Sequence, residues 1–134
     1  MSDPDVEFSF VPKSTVRLER GHFWAIPLRD QRFGAGCVVG RMLDGRKPAS
    51  RRFIAGVVAW HGASPPRAQD LFDREVVACA FAHIKTITIS GGAILGKAQL
   101  QFRDLPSEAQ ALAMSTWGYS VATLLAQKYA TEHA

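Results

Sequence analysis

The sequence predicts an α+β fold: a strongly bent antiparallel β-sheet, or an SH3-like partial barrel, of five to seven strands with a C-terminal helix packed on it. Apolar and polar residues alternate along several stretches of the first hundred positions, which is the period of two of a β-strand. Glycines interrupt these stretches, and the chain from residue 107 onward is rich in good helix formers. We expect a single domain over 1–134, with a β-rich core at 16–103 and a helical tail at 106–132.

The central stretch is 20–42, which we interpret as two strands folded back on each other. Phe23 and Ala25 are expected on one face of the first strand because their side chains alternate with those of Trp24 and Ile26. This is the period of two that a pleated strand requires.

The polar turn of this hairpin is predicted at 29–32, and the second strand at 33–39. Gly34, Gly36 and Gly40 are unusually dense for a strand. Glycine at such positions marks a bulge, a bend or a close backbone contact. The hairpin is therefore expected to be strongly coiled.

The remaining segments are predicted from their periodicity and from their glycine and proline content. We expect, in order, a turn at Asp44-Gly45, a buried strand at 53–60, a surface loop at 61–66, one helical turn within 67–73, a strand from 75 to about 81, a second short strand ending at 89, a turn at 90–92 and a half-buried strand at 97–102.

The tail predicts a helix that covers the open side of the sheet. Ser107 and Gln110 fit a capping box, and Gly118 is expected to weaken the middle of the helical region. The predicted apolar stripe follows helical spacing and consists of Ala113, Trp117, Val121, Leu124 and Lys128, with Leu125 and Tyr129 beside it.

Composition excludes several classes of protein. The chain is 47% hydrophobic and 21% charged, as in ordinary globular domains. It contains no apolar run near the roughly 20 residues of a membrane span, and its acidic start lacks the features of a secretory signal, so we expect a cytoplasmic protein. Cys37 and Cys79 are expected to be buried free thiols, since a zinc site would need paired spacings. No cofactor is predicted.

The positive charge is concentrated in the N-terminal half. The net charge is +4, but residues 1–67 hold eleven Lys and Arg against six Asp and Glu, whereas residues 68–134 hold five against six. The resulting field favours an acidic protein or a phosphate backbone as partner. None of the four histidines (His22, His61, His83 and His133) has a metal-type neighbour at i+3 or i+4, and we predict no catalytic residue and no enzyme activity.

The basic loop at 41–52 is the best candidate for a partner-binding site. Further along the chain, Trp60 ends the predicted buried strand and His61 begins the predicted 61–66 loop. A solvated loop without a partner remains the alternative reading of the same charges. The candidate partner-binding residues are Arg46, Lys47, Arg51, Arg52, Trp60 and His61.

The segment R-G-H-F-W-A-I-P-L-R-D-Q-R-F-G-A-G-C-V-V-G resembles the G-D-x-F-A-I-P-L-x-D-G-R-Y-G-x-G-x-V stretch of the bacterial immunity protein 26 family. A second segment, A-I-L-G-K-A-Q-L, is similar to that family's W-x-I-I-G-x-x-P-L. The likeness covers about 16–103. His22, Gln31 and Gln99 depart from the family's Asp, Gly and Pro.

This resemblance implies a small cytoplasmic protein that binds and neutralises a cognate bacterial toxin without catalysis. An alternative is a nucleic-acid-binding module with an SH3-like barrel related to toxin–antitoxin proteins, and the least favoured is an enzyme acting through His61 or His83. A homodimer is possible through an edge strand at 6–11, and no membrane partner is expected. Because the basic half would not mimic nucleic acid, the toxin is not expected to be a nuclease.

Overall fold

A computed structural model describes residues 9–44, 47–102 and 117–133, and within these ranges it describes the backbone alone at 41–44 and 47–50. The first half of the predicted edge strand at 6–11, Gly45 of the predicted turn and the capping box at Ser107 lie outside these ranges. The described half of that strand makes a single antiparallel bridge, between Phe10 and Ile94. None of the described helices is both long and apolar enough to cross a membrane.

The fold is α+β, as the sequence predicts. Five antiparallel strands form one open sheet with the order β4-β3-β2-β1-β5. The strands are β1 (His22–Pro27), β2 (Phe33–Asp44), β3 (Lys47–Gly62), β4 (Val76–His83) and β5 (Gly96–Lys97). The helices are α1 (Ala68–Leu71), α2 (Lys85–Ser90) and α3 (Val121–Glu132), and 3₁₀ turns lie at Thr15–Arg17 and Arg29–Gln31.

The β1–β2 hairpin has the predicted alternation, and its glycines have a packing reason. Trp24 lies opposite Gly36, and a Cβ atom on Gly36 would overlap the indole ring. The 3₁₀ turn reverses the chain with Asp30 and Gln31 at positive φ angles of 59° and 63°. The β2–β3 register shifts three times, once between Gly34 and Gly36, and such irregularities bend a strand and increase its twist.

Both faces of the sheet are covered, which explains the apolar character of both faces of β1. Trp24 and Ile26 belong to a core beneath α2 and α3, whereas Phe23 belongs to a second core beneath α1 and the segment after β5. The first core also contains Leu18, Val38, Phe53, Ala55, Val57, Ala82, Ile87, Ile94, Ala122 and Ala126. The second also contains Ala35, Cys37, Val58, Ala68, Leu71, Val76 and Ala98.

Two predicted loops are strands. The segment 41–52 was predicted to be a basic loop, but β2 continues to Asp44 and β3 begins at Lys47, so this segment is a long hairpin. His61 and Gly62 also lie in β3, opposite Gly34 and Phe33, and not in the predicted surface loop. Ladder hydrogen bonds to β2 extend β3 at both ends beyond its apolar centre.

The second short strand predicted to end at residue 89 is wrong, because this segment is helix α2. Its Thr and Ile residues favour strands in general, but the adjacent Thr86 and Ile87 are both buried, and Ile84 and Ile87, which are three positions apart as on one face of a helix, are buried as well. The Ser90 hydroxyl donates a hydrogen bond to the Thr86 carbonyl oxygen at 2.6 Å. Tertiary packing has therefore overridden local propensity.

The stretch 97–102 is a strand only at its start. β5 ends at Lys97, and beyond it a parallel bridge joins Gln101 to Glu75. The predicted alternation nevertheless holds, because Ala98 is buried and Leu100 is half-buried against the second core, while Gln99 is exposed.

The C-terminal helix packs on the sheet as predicted, but through a different face. Its buried residues are Ala122, Ala126 and Ala130, whereas Leu124 is 62% exposed. A Cβ atom on Gly34 of β2 would lie 2.9 Å from the Cβ of Ala126. The helix therefore approaches the sheet so closely that only small side chains fit.

Candidate binding surface

Two of the predicted partner-binding arginines lie where β3 meets the end of β4. Arg52 is the cross-strand partner of His83, the last residue of β4. The backbone N–H of Ile84 donates to the carbonyl oxygen of Arg51 at 2.8 Å, which fixes the chain just after β4 against β3. Both arginine side chains are exposed.

Helix α2 and the residues before α3 bring a further cation and a ring to the same place. The backbone N–H of Trp117 donates to the Phe81 carbonyl oxygen at 2.8 Å. This hydrogen bond holds the segment before α3 against β4. The Tyr119 ring then lies edge-on to the His83 ring, with 5.6 Å between centroids. The Lys85 Nζ lies 5.7 Å from the Tyr119 ring centroid.

We call Arg51, Arg52, His83, Lys85 and Tyr119 the basic surface. Burial, followed by the positive charges of Lys85, Arg51 and Arg52, lowers the pKa of His83. Among the described residues the salt bridges join Glu19 to His22 and Lys97, and Asp30 to Arg32. The three permanent cations of the basic surface therefore form no salt bridge within the described part of the chain.

The ring nitrogens of His83 have different roles. The backbone N–H of Lys85 donates to His83 Nδ1 at 3.0 Å. Because a backbone N–H can only donate, Nδ1 is the acceptor and the neutral ring carries its proton on Nε2. No described residue accepts a hydrogen bond from this Nε2–H, so it remains a donor beside the two arginines.

The structure says less about the other two basic residues of the predicted set. Arg46 lies outside the described residues. Lys47 begins β3, with its backbone opposite Asp44, and its side chain is outside the described part. From the basic surface, β3 continues back to Lys47, paired with β2 up to Asp44.

Trp60 and His61 do not join the basic surface. Arg52 and His61 are nine positions apart on β3, which corresponds to about 30 Å along an extended strand. Trp60 is half-buried against the second core. The sequence-predicted partner-binding residues therefore divide between the two ends of the longest strand.

His61 links the sheet to the end of α3. Its Nδ1 lies 3.4 Å from Arg32 Nη1, and its Nε2 lies 3.1 Å from the His133 carbonyl oxygen. The Tyr129 ring lies edge-on to His61 and stacks on His133 at 4.1 Å. The contacts of His61 are those of a residue that anchors a helix.

The other candidate groups have structural surroundings. His22 is buried, accepts the Glu19 N–H on Nδ1 at 3.0 Å, and has its Nε2 3.8 Å from a Glu19 carboxylate oxygen. Burial is the largest cause of its lowered pKa. Cys37 and Cys79 are free thiols, and no group of three metal-ligating side chains occurs among the residues described.

Sequence reasoning did not select His83, Lys85 and Tyr119 as partner-binding residues. His83 was expected at a break between strands, and Tyr119 within a helical tail. The signal that could have found two of them is their spacing. His83 and Lys85 are two positions apart, so that a ring and a cation lie on either side of a strand end. Tyr119 carries no comparable local signal.

Comparison with known proteins gave no match: no family model, no curated protein and no solved structure is similar to this chain.

Proposed function

We propose that this chain is a cytoplasmic immunity protein that binds a cognate bacterial toxin and neutralises it without catalysis. The observation that carries the proposal is the group of exposed cations around His83, namely Arg51, Arg52 and Lys85, with Tyr119 beside Lys85. Arginine and tyrosine are enriched at the energetically dominant positions of protein interfaces, and a positive surface accelerates association with an acidic partner.

Two further points support binding over turnover. The resemblance of 20–42 to the immunity protein 26 family implies a toxin as partner. The two ring nitrogens of His61 contact an arginine and a backbone carbonyl oxygen, and Nδ1 of His83 accepts a backbone N–H. In a catalytic site the base is usually oriented by a further side chain and lies beside a nucleophile, and the hydrogen-bond contacts of these two rings in the described part of the chain include no carboxylate or hydroxyl.

The direct test is protection. The toxin encoded nearest to this chain's gene should be expressed in a sensitive host with and without this protein. We expect survival only when the two are expressed together, and co-purification of the pair. Full killing by the toxin in the presence of well-expressed, folded protein contradicts the proposal.

A nucleic-acid-binding module is the second candidate, and Tyr119 is the specific observation in its favour. An aromatic ring between cations can stack on a base while the cations bind phosphates. This candidate predicts that an RNA complex forms at low salt and is lost at moderate salt, because phosphate contacts release counterions. Absence of a retarded RNA band at low ionic strength rules it out.

A further inference from the structure

We infer that the basic surface binds carboxylate groups of an acidic protein, with Arg51, Arg52 and Lys85 supplying positive charge and the Nε2–H of neutral His83 supplying a hydrogen bond of fixed direction. The inference rests on the proposed function, because it names the surface and the chemistry by which the partner would be bound. It adds to that function a defined site on the basic surface.

Two residues of this site, Arg52 and His83, are neighbours in the sheet. Arg52 and His83 are paired across neighbouring strands, and directly opposed residues on a sheet have Cβ atoms about 5 Å apart. The Arg52 side chain is therefore long enough to place its guanidinium beside the His83 ring, where one carboxylate can contact both. An arginine fork binds both carboxylate oxygens, and a neighbouring N–H then donates to a remaining lone pair.

His83 is suited to act as a neutral donor. The charged groups that face it are Arg51 and Arg52 from β3 and Lys85 from α2, and Tyr119 lies against its edge. Protonation would place a second hydrogen on Nδ1, directly opposite the Lys85 N–H, and would add a fourth positive charge. Burial and the three cations lower the pKa of His83, so the ring stays neutral at physiological pH.

An acidic protein fits this site better than a nucleic-acid strand does. Single-strand binding uses aromatic rings on which successive bases stack. Among the residues described, Tyr119 is the exposed ring at this end of the sheet, and Lys85 lies over it. A single ring with a cation over it cannot stack several successive bases. It does suit a protein interface, where one aromatic residue packs among arginines.

The test uses the full chain and two probes, a glutamate-rich peptide and a single-stranded oligo-dT, at physiological salt. We expect the double variant R51E/R52E to weaken peptide binding at least tenfold, and R51Q/R52Q to weaken it less. The matched control R29E/R74E changes two exposed arginines elsewhere and lowers the formal charge by the same amount, from +4 to 0. It should change affinity by less than about threefold.

The His83 component has its own readout. We expect H83A to weaken peptide binding about tenfold, as for loss of a hydrogen bond to a charged group. H83Q, whose amide N–H replaces Nε2–H, should restore most of that loss. Nitrogen shifts of the His83 ring should report the Nε2–H form from pH 7 to 8. An H83Q protein as weak as H83A, or binding that tightens more than tenfold from pH 8 to 6, overturns the neutral-donor role.

The remaining outcomes separate this inference from the proposed function. Equal losses in R51E/R52E and in R29E/R74E overturn the site, since only net charge would matter. Tighter binding of oligo-dT than of peptide, lost in R51E/R52E, overturns the acidic-protein partner in favour of nucleic acid. Peptide binding at the basic surface with no protection against the toxin overturns the immunity function alone. Full protection by R51E/R52E overturns the site alone.

Discussion

Gly91 is the residue at which α2 touches the backbone of β1. A Cβ atom there would overlap the carbonyl oxygen of Ala25, and backbone atoms in a paired strand cannot move aside. We therefore expect G91A to lower the free energy of unfolding by about 2 kcal/mol or more. Gly118 is the matched control, since a Cβ there meets no atom within 4 Å, and G118A should lie within about 0.5 kcal/mol of the parent. Urea denaturation of both variants checks this, and equal stabilities would show that α2 does not pack as described.

The two cysteines differ in exposure and should differ in reactivity. Cys37 is fully buried and Cys79 half-buried, and burial raises the pKa of both thiols. Each lies opposite Gly56, on the two strands that flank β3, so their Cα atoms are about 10 Å apart. This separation exceeds the reach of a disulfide.

A thiol reagent should therefore modify Cys79 in the native protein and Cys37 only after unfolding. The rate at Cys79 should rise with pH beyond the range of an ordinary cysteine, because the thiolate is the reactive form. C37A and C79A variants assign the two rates. Rapid modification of C79A in native buffer would show that the second core is open to solvent.

Elements with a clear period could be predicted from the sequence, and the others could not. The β1–β2 hairpin was predicted because Phe23 and Trp24 alternate with neighbours over a full strand and end at a polar turn. α2 was not, since its Thr86 and Ile87 fit a strand pattern equally well over so few residues. The helix becomes recognisable only from the packing that buries both Thr86 and Ile87, and the local pattern does not reveal this packing.

The local sequence pattern also did not predict which face of α3 packs on the sheet. A stripe through Leu124 gave the more hydrophobic face, but the close approach to Gly34 selects the alanine face. We expect A126L to lower stability by about 1–3 kcal/mol, because the added side chain has no space. L124A should change it by less than about 0.5 kcal/mol, since Leu124 is exposed. Thermal unfolding of the pair measures the difference, and a larger loss in L124A would reverse the assigned face.

Seen across the whole molecule, the candidate site joins three segments that are far apart in the sequence. Arg51 and Arg52 were predicted because they lie in a run of basic residues. His83 and Tyr119 reach them only through β3–β4 pairing and through the hydrogen bond from Trp117 to Phe81. No spacing within the sequence specifies such contacts. Sequence reasoning therefore identified the charge of the surface but not its ring or its directed donor.

The stability of the molecule should fall as the pH is lowered. His22 and His83 both have a lowered pKa in the folded state, so the unfolded chain binds protons that the folded chain does not. Stability then rises with pH wherever the unfolded state holds more protons. The loss of stability should begin as the pH falls through about 6.5, the ordinary pKa of histidine, and continue to the lowered folded-state values.

We expect a lower urea midpoint at pH 5.5 than at pH 8. H22N, which keeps an acceptor for the Glu19 N–H, and H83Q should each reduce this difference. A difference unchanged in the double variant H22N/H83Q would assign it to other groups.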